Sequence, residues 1–139
     1  MICSVDDVPR LLHSLSTKEV DITLGSRFLP GASSEGIPRV RKWLLRLAVI
    51  MTCITTGLKL SDTHNGLRAM NRFAASKICL TCNRMAHASE FLSQISKHRL
   101  RFQEIPVTIS YSEYSLRKGQ RLSNSFNVLW ELVLGYFRL

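Results

Sequence analysis

From Val5 to Leu15 apolar residues return at three- and four-residue steps, with Val8, Leu11, Leu12 and Leu15 along one side. That spacing predicts an amphipathic helix. Ser4 stands where an N-cap is expected, and Asp6 and Asp7 put negative charge in the first turn. Val20-Asp-Ile-Thr-Leu24 alternates instead, so it reads as a strand, and it runs into Gly25-Ser26-Arg27. A loop rich in Pro, Gly and Ser follows through Gly36. Pro38 and Gly57 bracket a long helical pattern, each at the end that favours it. Residues 58–67 are polar and loop-like, and short helices are expected over 71–80 and 86–98. Ile105, Val107, Ile109 and Tyr111 alternate, predicting a strand or hairpin arm over 100–111. Pro106 confines that strand to an edge or a bulge. Residues 112–123 are polar and basic. Phe126, Leu129, Trp130, Val133, Leu134 and Phe137 then mark an amphipathic helix over 124–139.

This order of elements is α/β, with two or three strands visible. Two strands do not make a stable open sheet. The chain therefore reads as the second half of an α/β domain, without the remaining strands. Its 139 residues suit one domain or a piece of one. Apolar residues at 45% and charged residues at 21% exclude a disordered tail or a collagen-like repeat.

Charge changes the picture more. The net charge is +9, and it is uneven. Residues 1–37 hold three Lys/Arg against five Asp/Glu; residues 38–139 hold 16 against five. A negative partner is implied: nucleic acid, a lipid headgroup or a phosphorylated substrate. The cysteines at 3, 53, 79 and 82 follow no secretory leader, so free thiols in a reducing, cytoplasmic compartment are expected. Cys79-x-x-Cys82 lacks the second ligand pair of a zinc site. The apolar runs 44–54 and 126–137 are too short to span a bilayer and suit its surface instead.

Four segments could carry chemistry. Gly25-Ser26-Arg27 sits at the C-terminal end of a strand, where open α/β sheets bind ligands, and arginine can fork onto phosphate oxygens. Arg39, Lys42 and Arg46 share one face of the long helix, opposite Leu44, Leu47, Ala48 and Met51. Asp62-Thr-His-Asn-Gly-Leu-Arg68 crowds polar residues around a glycine. With His87-x-x-Glu90 it contains conceivable metal ligands, although the order and count differ from known di-metal helices. Tyr114-Ser-Leu-Arg-Lys-Gly-Gln-Arg121 is a basic loop that could close over a phosphate. Solvated surface charge would give each of these patterns too.

Taken in order, the segments resemble the C-terminal half of a family 2 glycosyltransferase of the dolichyl- or polyprenyl-phosphate sugar transferase type. The matching pieces are Asp7-Val-Pro-Arg-Leu-Leu12, Asp21-Ile-Thr-Leu-Gly-Ser-Arg-Phe28, Gly36-Ile-Pro-Arg39, the stretch from Thr56 to Arg68, Ala88-Ser-Glu90 and Glu104-Ile-Pro-Val-Thr108. His87–Glu90 and Tyr114–Gln120 are similar to motifs of bacterial members. The ordered set covers nearly the whole chain and is more specific than any one piece.

The resemblance implies a GT-A nucleotide-binding sandwich that is incomplete here, lacking its N-terminal nucleotide-binding strands. Residues 1–123 would be the C-terminal part of that domain, and 124–139 an appended amphipathic helix. The family's Asp-x-Asp motif, which holds Mg²⁺ or Mn²⁺, would fall immediately before Met1, so no metal is expected on this chain. Met1 and Ile2 stand where the family has Gly-Gln. The intact enzyme would move a sugar from a nucleotide-sugar to a lipid phosphate, and this chain alone is expected to be inactive. Arg27, Arg39, Arg41, Ser115 and Lys118 are the implied acceptor-phosphate residues, and Asp62 and Glu90 the catalytic carboxylates. A lipid phosphate is already ionised, so these carboxylates are expected to orient hydroxyls or basic groups more than to abstract protons. Contact with the inner face of a membrane and self-association are also expected. The competing class is a basic nucleic-acid-binding module, supported by charge but not by any stacking or helix-turn-helix pattern.

Overall fold

The computed structural model describes residues 2–17, 19–35, 39–63, 65–81 and 86–110. Among them the fold is mixed α/β. Its centre is strand β2 (Ile22–Ser26), which lies between β4 (Arg68–Met70), antiparallel, and β5 (Phe102–Pro106), parallel. Leu24 stands opposite Arg68 on one side and Glu104 on the other. Every residue of β2 is buried because both faces of the strand are covered.

On one face Ile22 and Leu24 pack with Leu60, Ala74, Phe91, Leu92, Ile95 and Leu100. Ala74 comes from α3 (Arg72–Lys77), and Phe91, Leu92 and Ile95 from α4 (Ala86–Lys97). On the other face Leu11 of α1 (Asp7–Ser16) packs with Ile105, Val107 and Ile109. Thr23 points that way, and its hydroxyl donates to the Leu11 carbonyl at 3.2 Å. The long helix α2 (Arg39–Thr56) contacts α4.

Three further short strands form a second sheet: β1 (Ile2–Cys3), β6 (Thr108–Ser110) and β3 (Ser33–Glu35), in the order β1-β6-β3. Val107 alone separates β5 from β6, and its N–H donates to the Ser26 carbonyl at 3.1 Å. The strand expected over 100–111 therefore breaks one residue after Pro106 and passes from one sheet to the other. β1, β3 and β4 are not evident in the sequence, since two or three residues are too few to show a period of two.

The expected helix punctuation holds at Gly57 and fails at Ser4. Gly57 has φ +72° and donates its N–H to the Cys53 carbonyl at 2.9 Å, closing α2 as a C′ glycine does. Asn71 caps α3, its side chain accepting from the Ala74 N–H at 2.8 Å. At α1 the N-cap is Asp6, not Ser4, and it makes no side-chain cap bond. Ser4 instead accepts from the Asp6 N–H at 3.3 Å in a local turn. Of the expected α1 stripe Leu11 is buried, while Val8 and Leu12 are exposed. The helix expected over 124–139 lies outside the described residues.

Candidate functional site

Parallel strands β2 and β5 end side by side, at Ser26 and Pro106. The loop from Gly57 to Leu67 crosses this edge, and polar side chains fasten it there. Arg27, one residue past β2, grips Asp62 with a fork: Nε donates to Oδ2 at 2.6 Å and Nη2 to Oδ1 at 2.7 Å. The Arg27 backbone N–H adds a bond to Oδ2 at 3.2 Å. Both side chains are 1% exposed. Such geometry is needed for two desolvated charges to be tolerated.

Glu104 anchors the same loop from β5. Its carboxylate accepts the Ser61 N–H at 3.0 and 2.9 Å, the Ser61 hydroxyl at 3.0 Å and the Asp62 N–H at 3.1 Å. Ser26 and Ser61 hydroxyl oxygens are 2.6 Å apart. Because the Ser61 hydrogen goes to Glu104, the Ser26 hydroxyl donates to Ser61, giving a relay Ser26→Ser61→Glu104. Burial raises the Glu104 carboxyl above the ordinary value of 4.5; the Ser61 and Asp62 donors partly offset this, and the nearby Asp62 charge adds to it.

Arg68 opens β4 beside this cluster. Its guanidinium lies 4.4 Å above the Phe91 ring and its Nε donates to the Asn65 carbonyl at 3.2 Å. Burial lowers its pKa, and the Asp62 charge opposes the shift. Asn65 is buried; its Oδ1 accepts the Leu67 N–H at 3.1 Å, while its Nδ2 finds no partner among the described residues. This cluster leaves little room beside Gly25. A Cβ there would stand 3.0 Å from Asn65 Nδ2, 3.1 Å from the Leu67 carbonyl oxygen and 3.1 Å from Val107.

The structure thus brings together two of the residues singled out from sequence, Arg27 and Asp62. Glu90 lies on α4, where it accepts the Thr81 N–H at 3.0 Å through each oxygen and the Thr81 hydroxyl at 2.7 Å. Beside it Gln94 accepts the Cys79 N–H at 2.7 Å and returns a bond to the Cys79 carbonyl. Arg39 is exposed at the first turn of α2, with Arg41 two residues further along that helix. Ser115, Lys118 and His64 lie outside the described residues. No three His, Cys, Asp or Glu side chains meet among the described residues, so these do not fit a divalent-cation site.

The sequence places Ser26, Ser61 and Glu104 inside segments already singled out but gives none of them a role of its own. One signal was present. In the alternating strand Glu104 falls on the face opposite Ile105, beside Leu24, and an acid on a core-facing position needs donors.

No family model and no solved structure matches the chain. Three curated proteins do. An uncharacterized protein of Methanocaldococcus jannaschii is 28% identical over 130 residues, covering 92% of this chain and 54% of that protein. A UDP-N-acetylglucosamine–dolichyl-phosphate N-acetylglucosaminyltransferase of Methanococcus voltae is 24% identical, covering 93% and 52%. The low-salt glycan biosynthesis hexosyltransferase Agl6 of Haloferax volcanii is 28% identical, covering 94% and 31%. The chain therefore spans about half the length of the first two relatives. Two of the three are named as sugar transferases. Among the described residues no helix is long and apolar enough to cross a membrane.

Proposed function

We propose that this chain supplies the acceptor side of a GT-A glycosyltransferase of family 2, which moves a sugar from a nucleotide-sugar to a polyprenyl-phosphate at the cytoplasmic face of a membrane. The observation that carries the reading is the buried Arg27–Asp62 fork at the C-terminal ends of β2 and β5. It fixes a polar loop at the edge where α/β sheets bind ligands. Similarity over most of the chain to a dolichyl-phosphate sugar transferase and to a hexosyltransferase supports it.

In this reading Arg27 is a positioning residue, since its fork is spent on Asp62. Asp62 and Glu104 hold the 58–67 loop in one shape. Arg39 and Arg41 at the start of α2, with Ser115 and Lys118, meet the acceptor phosphate. The helix N-terminus adds partial positive charge there. The phosphate oxygen is already an anion and attacks the sugar carbon as the nucleotide diphosphate leaves; these residues orient it and limit its repulsion from the donor. Glu90 orients hydroxyls near the 79–81 segment. The divalent cation that would neutralise the leaving diphosphate belongs, in this reading, to the donor half of the intact enzyme.

The test is a transfer assay. The chain is joined behind the N-terminal half of the Methanococcus voltae relative and supplied with labelled UDP-N-acetylglucosamine and dolichyl phosphate. Lipid-linked label that falls at least about tenfold in Arg39→Ala supports the reading, as loss of one charge-assisted phosphate contact should. A folded fusion that gives no lipid-linked label, while the relative itself does, opposes it.

A further inference from the structure

Arg68 is the β4 residue nearest the C-terminal edge of the central sheet, paired with Leu24 close to where β2 ends at Ser26. Its side chain lies on the face that α4 covers, 4.4 Å above the Phe91 ring, and that ring is itself buried. Its Nε donates to the Asn65 carbonyl at 3.2 Å. The plane of the guanidinium and one of its edges are thus fixed. The other edges carry the four N–H groups of Nη1 and Nη2. Among the described residues these donate to no protein atom. They are not sealed in either, since Asn65 Nδ2 is the one fully buried side-chain polar atom left without a partner among the described residues.

The charge of Arg68 is also unspent. Arg27 has Asp62 and Arg101 has Asp21, each within ion-pair distance. Arg68 is half-buried and forms no such pair among the described residues. Asp62 acts on it from a distance and offsets only part of the cost of burial. A desolvated cation without a partner is costly, and a guanidinium held flat on a ring presents paired N–H donors in its own plane, the geometry that a carboxylate or phosphate matches. We infer that Nη1 and Nη2 of Arg68 hold an oxyanion of a bound ligand, a phosphate or a carboxylate, at the sheet edge beside Phe91. This site is separate from the acceptor-phosphate set of Arg39, Arg41, Ser115 and Lys118. It stands on this guanidinium alone and uses no step of the sugar-transfer reading.

The experiment is an NMR titration of the full chain labelled with nitrogen-15. The Nε–H signal of Arg68 is assigned through its contact with the Phe91 ring protons. Pyrophosphate and glucuronate are added separately, with sodium chloride at matched ionic strength as the blank. Neither probe carries a nucleoside or a polyprenyl chain, so failure of the sugar-transfer reading leaves the result untouched. A saturable shift of the Arg68 signal that chloride does not produce is expected. Pyrophosphate as the tighter probe assigns the site to a phosphate group, and glucuronate as the tighter probe to an acidic sugar. In Arg68→Met, which keeps an apolar stem over Phe91, the amide signals of Leu67 and Ala69 should report binding at least about tenfold weaker, the loss of a charge-assisted contact. An Arg68 signal that neither probe shifts, or that chloride shifts equally, overturns the inference. Unaltered binding in folded Arg68→Met overturns it as well and leaves Arg68 a staple between the loop and α4. Should that variant not fold, the unmutated chain's own Arg68 signal decides.

Discussion

Arg27 and Asp62 stand 35 positions apart in the chain and meet through two N–H···O bonds of 2.6 and 2.7 Å, with both side chains 1% exposed. The pair joins the end of the central strand to the loop that crosses it. Removing one partner leaves a buried charge alone, so Arg27→Ala and Asp62→Ala should each cost about 3–5 kcal/mol in urea unfolding. Arg27→Met combined with Asp62→Leu should recover most of that loss, because an apolar pair of similar volume needs no desolvation. Because the fork acts by holding the 58–67 loop, the recovered fold should also regain acceptor use in the fusion assay. Single losses under about 1 kcal/mol would place the pair in a much wetter site.

Glu104 offers a pH signature. Its pKa is raised, chiefly by burial, so the folded chain holds this proton at a pH where the unfolded chain has released it. Its contribution to stability is therefore greatest below the ordinary glutamate value of 4.5 and declines as pH rises through the raised value. Glu104→Gln should remove that slope. It should also cost about 1–3 kcal/mol, because an amide NH₂ would face the Ser61 and Asp62 N–H donors. Unfolding curves of both proteins across mildly acidic to neutral pH measure the two effects.

Asp21 titrates in the opposite sense. Hydrogen bonds from Arg101, to its Oδ1 at 3.1 Å and Oδ2 at 3.2 Å, together with the Asn71 side chain, lower its pKa from 3.8 to about 2. The stability it adds is present above 3.8 and is lost as pH falls through about 2. The Arg101 side chain is largely solvent-exposed, so screening limits the effect, and Asp21→Asn should cost no more than about 1 kcal/mol at neutral pH. Acid unfolding of that variant should be correspondingly flatter.

Gly25→Ala tests the closeness of the loop to β2. The added methyl meets a backbone oxygen and two side chains at 3.0–3.1 Å, so these must give by a few tenths of an ångström. A loss of about 1–3 kcal/mol is expected from thermal unfolding. An unchanged melting temperature would mean that the 65–67 segment yields easily.

Long periodic segments were legible in the sequence. α2 runs from Arg39 to Thr56 between the punctuation of Pro38 and Gly57, and α4 follows its apolar spacing. The sheet was less legible. β4 is three residues long and is defined by pairing with β2, which no local pattern reports. The passage from β5 to β6 depends on Val107 bonding to Ser26, 81 positions earlier. Within the site, Arg27 and Asp62 drew notice as a strand-end cation and a loop acid, but their pairing is a tertiary fact. Glu104 went unread because its role is to accept backbone N–H groups of a loop 42 and 43 positions away. The exposure of Val40, Trp43, Ile50 and Ile54 was hidden for a different reason. Apolar spacing announces a face, and only the packing of α2 shows which face is covered.

That this chain holds a lipid phosphate is tested most directly by titrating it with a short-chain polyprenyl phosphate below its micelle-forming concentration, followed by phosphorus NMR, beside the matching alcohol. The expected result is a saturable phosphorus shift, no competition by the alcohol, and at least about tenfold weaker binding in Arg39→Ala, the loss of one charge-assisted contact. Competition by the alcohol as strong as by the phosphate, or phosphate binding unaltered by Arg39→Ala, would contradict it.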